Sequence, residues 1–141
     1  MRCVVTVVLA CLASTSWAQG ADASKLCKLF TPAEIGAFLG ATVGPGQGAG
    51  RGGSCQWVDK DYEVQAILTV VGPDKFEEPS LVKGFKRLPG LGKKAWVAPD
   101  AGWRAGVLLE DAAILVNLDS KKMNEATAVA FLQEAMKRRN K

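Results

Sequence analysis

Two cysteines limit this chain more than any other feature. Of its four cysteines, Cys3 and Cys11 fall in an apolar N-terminal stretch, and Cys27 and Cys55 lie in the body of the chain. The stretch "MRCVVTVVLACLASTSWA" opens with a basic residue, Arg2. It continues with an apolar run from Cys3 to Ala13 and ends in small residues, the layout of a secretory signal peptide. Ser16-Trp17-Ala18 meets the small-x-small rule, so cleavage is expected after Ala18. Ala21-Asp22-Ala23 offers a later cut. Val8-Leu9-Ala10-Cys11 also reads as a lipobox, although few residues precede Cys11. The run is shorter than the roughly 20 apolar residues that a membrane-spanning helix needs. No transmembrane segment is therefore expected after cleavage. An even pair of cysteines in an exported chain reads as a disulfide. A Cys27–Cys55 bridge spans 28 residues, for which chain entropy suggests roughly 3.5 kcal/mol. The pair is not a Cys-x-x-Cys, so a structural rather than a redox role is expected.

Removing residues 1–18 leaves 123 of the 141 residues and one basic residue fewer, so the net charge falls from +4 to +3. That length suits one domain, which hides about two thirds of its unfolded surface, so a covalent staple helps. The mild positive charge allows weak contact with anionic surfaces but does not point to nucleic acid.

The pattern along the chain predicts a signal peptide at 1–18, a flexible leader at 19–26 and a single α+β domain at 27–139. The strongest local signal is "CKLFTPAEIGAFLG". Thr31 is suited to cap a helix, Pro32 to open it, and Glu34 to complete a capping box. Phe30 and Ile35 sit at the positions of a hydrophobic staple, and Gly40 at the stop. A helix is predicted over 32–39. A short strand is expected at Ala41–Val43, followed by the loop "GPGQGAGRGG". "SCQWVD" and "YEVQAILTVV" read as a hairpin, with Val64, Ala66, Leu68 and Val70 on one face. The breaker-rich stretch 72–92 reads as a long connection with a short helix near Ser80 to Lys86. "KKAWVAP", "WRAGVLLE" and "AILVNLD" then form a meander, with Ile114, Val116 and Leu118 sharing a face. A last helix is expected over 124–139, its stripe Ala128, Val129, Leu132, Ala135 and Met136. The fold class expected is α+β: an antiparallel sheet of about five to six strands, packed by an N-terminal and a C-terminal helix.

Gly48, Gly50 and Gly53 match Gly-x-Gly-x-x-Gly, but a strand rather than a helix is predicted after Gly53, so no dinucleotide is expected there. The chain contains no histidine, which removes the usual general base and the commonest zinc ligand. Ser80 and Lys83 form a formal Ser-x-x-Lys without the companion motifs of penicillin-recognising enzymes. The acidic pairs Asp59/Asp61, Glu77/Glu78 and Glu110/Asp111 fall at predicted turns. Asp59, Asp61 and Glu63 lack the glycine and distal glutamate of an EF-hand loop. No catalytic residue, metal or cofactor is expected. A binding surface is looked for instead in Trp57, Trp96 and Trp103, which fall on strands and suit either core or surface, and in the basic cluster Lys83, Lys86, Arg87, Lys93 and Lys94.

Cys27, Leu29, Thr31, Glu34, Leu39-Gly40, Cys55, Trp57 and the segment Gly90 to Trp96 together make a recognisable series. It resembles the Cys-x-Leu-Leu-Thr-x-x-Glu, Cys-x-aromatic and Gly-Leu-Gly-x-x-Ala-aromatic pattern of small exported bacterial domains of unknown function. Some of these are lipoproteins, and others are similar to extracytoplasmic sensor domains of bacterial kinases. Phe30 replaces the usual second Leu. The resemblance spans most of 27–136. It implies the Cys27–Cys55 bridge and an α+β sheet, and it carries over no catalytic residue. The expected function is an exported, periplasmic or secreted, non-enzymatic domain that binds or senses a protein, peptide or envelope component. The alternatives are a small envelope hydrolase and a structural envelope protein.

Intact mass of the protein from its native host, before and after reduction and alkylation, tests these expectations. The expected chain begins at Gln19 and takes up alkylating reagent at two thiols only after reduction. A lipidated Cys11, or retained residues 1–18 with freely alkylated thiols, would overturn them.

Overall fold

The computed structural model describes residues 22–50 and 53–141. The expected signal peptide, residues 19–21 of the expected leader, and Arg51 and Gly52 lie outside the described residues. The chain order is α1 (Ala23–Leu26), α2 (Pro32–Leu39), β1 (Gln47–Gly48), β2 (Ser54–Val58) and β3 (Gln65–Val71). A 3-10 turn at Pro73–Lys75 follows, then β4 (Lys86–Arg87), β5 (Lys94–Ala98), β6 (Trp103–Leu108), β7 (Ala113–Asp119) and α3 (Glu125–Arg139). The strands form one antiparallel sheet in the order β1-β2-β3-β7-β6-β5-β4.

An α+β domain with an antiparallel sheet is what the pattern predicts, but four details differ. The sheet has seven strands, not five or six. The two extra ones, β1 and β4, are two-residue edge strands in the Gly-rich and Pro/Gly-rich stretches, too short to show alternation. Ala23–Leu26 is a helical turn rather than a loose leader. Asp22 caps it by accepting from Ser24 N–H at 2.9 Å, and Leu26 is buried. No strand forms at Ala41–Val43, although Gly44 N–H donates to the Val58 carbonyl. Finally, no helix forms near Ser80 to Lys86. Two successive turns, closed by Val82 N–H to Pro79 O and Phe85 N–H to Val82 O, lead into β4; Pro79 and Gly84 flank a stretch too short for a stable helix.

The helices cover one face of the sheet. α2 starts as the capping box requires: Thr31 Oγ1 accepts from Glu34 N–H, and Thr31 N–H donates to Glu34 Oε2 at 2.8 Å. Gly40 ends it in the left-handed conformation, with φ of 64°. Strands β2 and β3 alternate cleanly, burying Cys55, Trp57, Ala66, Leu68 and Val70 beneath the helices. In α3, Ala128, Leu132 and Ala135 are buried as expected. Phe131, outside the expected stripe, is also fully buried, and its ring lies 5.0 Å from that of Phe30 and 5.1 Å from that of Phe38.

Two devices lock the helices to the sheet. Cys27 and Cys55 form the disulfide, with Cα atoms 5.2 Å apart. The glycine-rich loop passes directly over it. A Cβ at Gly46 would lie 2.7 Å from both Cys55 Sγ and Trp57 Nε1, so only glycine allows this approach. The second device is Arg138. Its guanidinium donates to the Leu29 carbonyl at 2.7 Å, to both Glu34 oxygens and to Glu134 Oε1, and it covers the Phe30 ring at 4.4 Å. The α2 capping residue is thereby tied to the last turns of α3.

This contact makes acid stability specific. The Arg138 hydrogen bonds, aided by the Thr31 N–H, lower the Glu34 carboxyl from 4.5 to about 2. A depressed carboxyl stabilises the fold above its unfolded value and loses that effect as pH falls through its folded value. Melting temperature measured from pH 4.5 downward should fall for the native chain between 4.5 and about 2. Arg138→Gln should start lower and show a shallower fall over that range. Equal slopes would show that Arg138 does not hold this carboxylate ionised.

Candidate functional site

Among the described residues, the opposite face of the sheet carries no helix. The strand registers place Ser54, Thr69, Leu115, Gly106, Trp96 and Arg87 in one row across it. Gln56, Ile67, Asn117, Arg104 and Ala98 form the next row. This face is mixed, as expected of an antiparallel sheet with one side away from the core. Ser54 and Thr69 hydroxyls bond at 2.9 Å, and Gln56 Nε2 donates to Gln65 Oε1 at 2.7 Å.

The β4–β5 side of this face is roofed. Phe85, from the β3–β4 connection, lies 6.4 Å from the Trp96 ring, and Trp96 is only 1% exposed. Gly106 gives the indole its space, since a Cβ there would sit 2.8 Å from the Trp96 ring and from Leu115 Cδ2. Beside this roof the face opens into a groove of about 260 Å³. Ile67, Thr69, Leu115 and Asn117 line its floor, and Asp100, Ala101 and Arg104 its rim. Arg104 Nη1 donates to Asp100 Oδ2 at 2.8 Å, and its guanidinium lies 5.8 Å from the centre of the Trp96 ring. Asn117, directly opposite Arg104, has a buried Oδ1 with no hydrogen-bond partner among the described residues. Such an oxygen costs roughly 1–3 kcal/mol. On the rim, Ala101 has φ of 48°, a left-handed conformation unusual without glycine.

The residues singled out from sequence are dispersed. Trp57 is fully buried under the helices, edge-on to Phe30 at 6.2 Å. Trp96 is buried on the other face, and Trp103 is partly buried against the helix-side core. They form no exposed aromatic stripe, because the register sends Trp57 and Trp96 to opposite faces and each finds its own cover. The basic cluster is largely paired. Lys86 meets Glu125 at 2.6 Å, Arg87 meets Glu78 at 3.0 Å and Lys93 meets Glu110 at 2.7 Å. The Arg87 hydrogen bonds hold the Glu78 carboxyl below its ordinary range. Lys83 and Lys94 are exposed and make no ion pair among the described residues. Ser80 is exposed on the same connection as Lys83. Asp59 Oδ1 accepts from Glu63 and Val64 N–H, closing its own hairpin turn. Gly48 pairs with Cys55 in β1, and β2 follows Gly53.

Sequence reading missed Arg104 and Asn117. Asn117 interrupts the apolar run of β7 on the face away from Ile114, Val116 and Leu118, which marks it as outward-facing. Nothing in the sequence pairs it with Arg104. What the groove offers is non-covalent: a guanidinium, a carboxylate and a small apolar floor.

Oxidative footprinting of the free protein should modify Trp103 well before Trp57 or Trp96. Equal rates at all three would contradict their burial. No family model matches the sequence, and no curated protein and no solved structure shows significant similarity to it.

Proposed function

We propose that this chain is an exported, non-enzymatic binding or sensing domain. It recognises a protein, peptide or envelope component with the uncovered face of its sheet. One observation carries the reading: the uncovered face opens into a groove in which Arg104, opposite Asn117, keeps Nε and Nη2 without a hydrogen bond among the described residues. Those free guanidinium donors suit an acceptor group on a partner. The resemblance to exported sensor-like domains and the Cys27–Cys55 disulfide accord with the same reading, as does a sequence without histidine.

Asn117→Leu tests it. Leucine removes the unmatched oxygen and is compatible with a strand, so the melting temperature should stay level or rise. Photo-crosslinking from a probe at exposed Gln47, on the edge of the sheet, would not report the groove; a probe at Thr69 would. Crosslinks from Thr69 to host envelope material should be obtained with the native chain and decline at least about tenfold with Asn117→Leu or Arg104→Ala, corresponding to about 1.4 kcal/mol. Crosslinking that survives both substitutions would remove this face from the function.

A further inference from the structure

We propose that the outer edge of β1, with the groove beside it, takes an extended acidic segment of a partner polypeptide as an added strand. This site shares no lining residue with the groove around Arg104, so it stands without the reading of the uncovered face. β1 is the last strand on its side of the sheet. Ala49 N–H donates to the Ser54 carbonyl, so in this antiparallel pair Gly48, one residue earlier, turns its N–H and C=O away from β2. Gly46 is in the same phase of the pleat. A Cβ at either glycine would point to the helix side, toward Cys55 and Trp57 from Gly46 and toward Ala23 from Gly48. The N–H of Gly46 makes no backbone hydrogen bond among the described residues. Two alternate residues therefore offer main-chain partners to a further strand.

The two edges of the sheet are guarded differently. β4 consists of Lys86 and Arg87, both exposed, and an edge charged in this way resists a further strand. Residues 44–50 carry no charged side chain, and both residues of β1 are exposed. Pro45 precedes the outward-facing glycines, so its missing N–H removes no donor from this edge. The shortness of β1 limits the ladder to a few hydrogen bonds. Strand addition alone then gives little affinity, and side chains must supply the rest.

A groove lies where those side chains would go. Its volume is about 580 Å³, with Pro45, Gly46 and Gly48 of the β1 edge on one wall and Cys27, Lys28 and Pro32 of the α1–α2 segment on the other. That is within the roughly 300–1,000 Å³ of ordinary ligand pockets. Every second side chain of an added strand would face the helix side and enter it. The groove selects by charge. Lys25 and Lys28 are exposed and make no ion pair among the described residues. Asp22, the acid nearest them in sequence, accepts from Ser24 N–H as the α1 cap. Among the described residues, no carboxylate lines the groove. A segment with one acidic side chain toward Lys28 and apolar ones against Pro32 and Pro45 suits it, whereas a basic segment would oppose Lys28.

Fluorescence anisotropy of labelled, capped octapeptides titrated with the disulfide-bonded protein tests the proposal. The probes alternate threonine with valine and carry glutamate at one valine position; a matched set carries lysine there. At least one glutamate peptide should bind with Kd below about 0.1 mM, and its lysine counterpart at least about tenfold more weakly. N-methylation of the bound peptide, one amide at a time, should weaken binding at least about tenfold at the amides that face β1 and leave the alternate amides unaffected. That alternation is the signature of an added strand. Lys28→Glu should reverse the charge preference, and because Lys28 is exposed the melting temperature should stay close to that of the native chain. Absence of binding by every peptide, equal binding of the glutamate and lysine sets, or N-methylation effects without alternation would overturn the proposal. Binding that ignores Lys28→Glu but is lost with Arg104→Ala would overturn it as well and place the peptide on the uncovered face. A dimer of the chain alone that excludes the peptides would assign the edge to a second copy, with the same consequence.

Discussion

The pairing of β3 with β7 is the contact on which the rest of the structure depends. β1 to β3 form one antiparallel unit and β4 to β7 another, each built from neighbours in sequence. Only the ladder from Gln65–Asp119 to Val71–Ala113 joins them into one sheet. It is a non-local contact, so loop closure opposes it before any burial rewards it. Alternation supplies that reward. Ala66, Leu68 and Val70 meet Leu118, Val116 and Ile114 on the helix side, and all six are buried. A one-residue slip would turn those side chains to the other face.

The helix layer consolidates the seam. Phe30 is central to it, in contact with Phe38, Trp57 and Phe131, and beneath the Arg138 guanidinium. The disulfide ties the segment before α2 to β2, and Arg138 ties α2 to α3. A small domain with a single core benefits from such cross-links between distant segments. Gly46 shows that the glycine-rich loop is shaped at one point by close packing, since it crosses the disulfide and the Trp57 indole where a side chain would not fit.

The two sheet faces differ in what covers them. The helix side is closed by aromatic packing. Among the described residues, the other side is roofed only near Trp96, by Phe85, and elsewhere carries Ser54, Gln56, Thr69, Asn117 and Arg104. Asn117 and Arg104 lie opposite each other only because β6 and β7 pair in one register. Neither belongs to a motif, so the candidate groove was not legible beforehand. The tryptophans illustrate the same limit. Their strand positions were readable, but Trp57 and Trp96 are buried on opposite faces by partners distant in sequence.

By itself the sequence determined α2, α3, the alternating strands and the cysteine pair. Each is encoded by short-range chemistry: the capping box of Thr31 and Glu34, the Asn124 cap accepting from Thr127 N–H, the period of two in β3 and β7, and an even cysteine count. Tertiary structure alone decided the edge strands β1 and β4, the place of Phe131, the neutralising partners of Lys86, Arg87 and Lys93, and the meeting of Arg104 with Asn117. Those features depend on register and on which segments a folded chain brings within a few ångströms. Local propensity carries no record of either, because the same residues would keep the same local preferences in any other pairing.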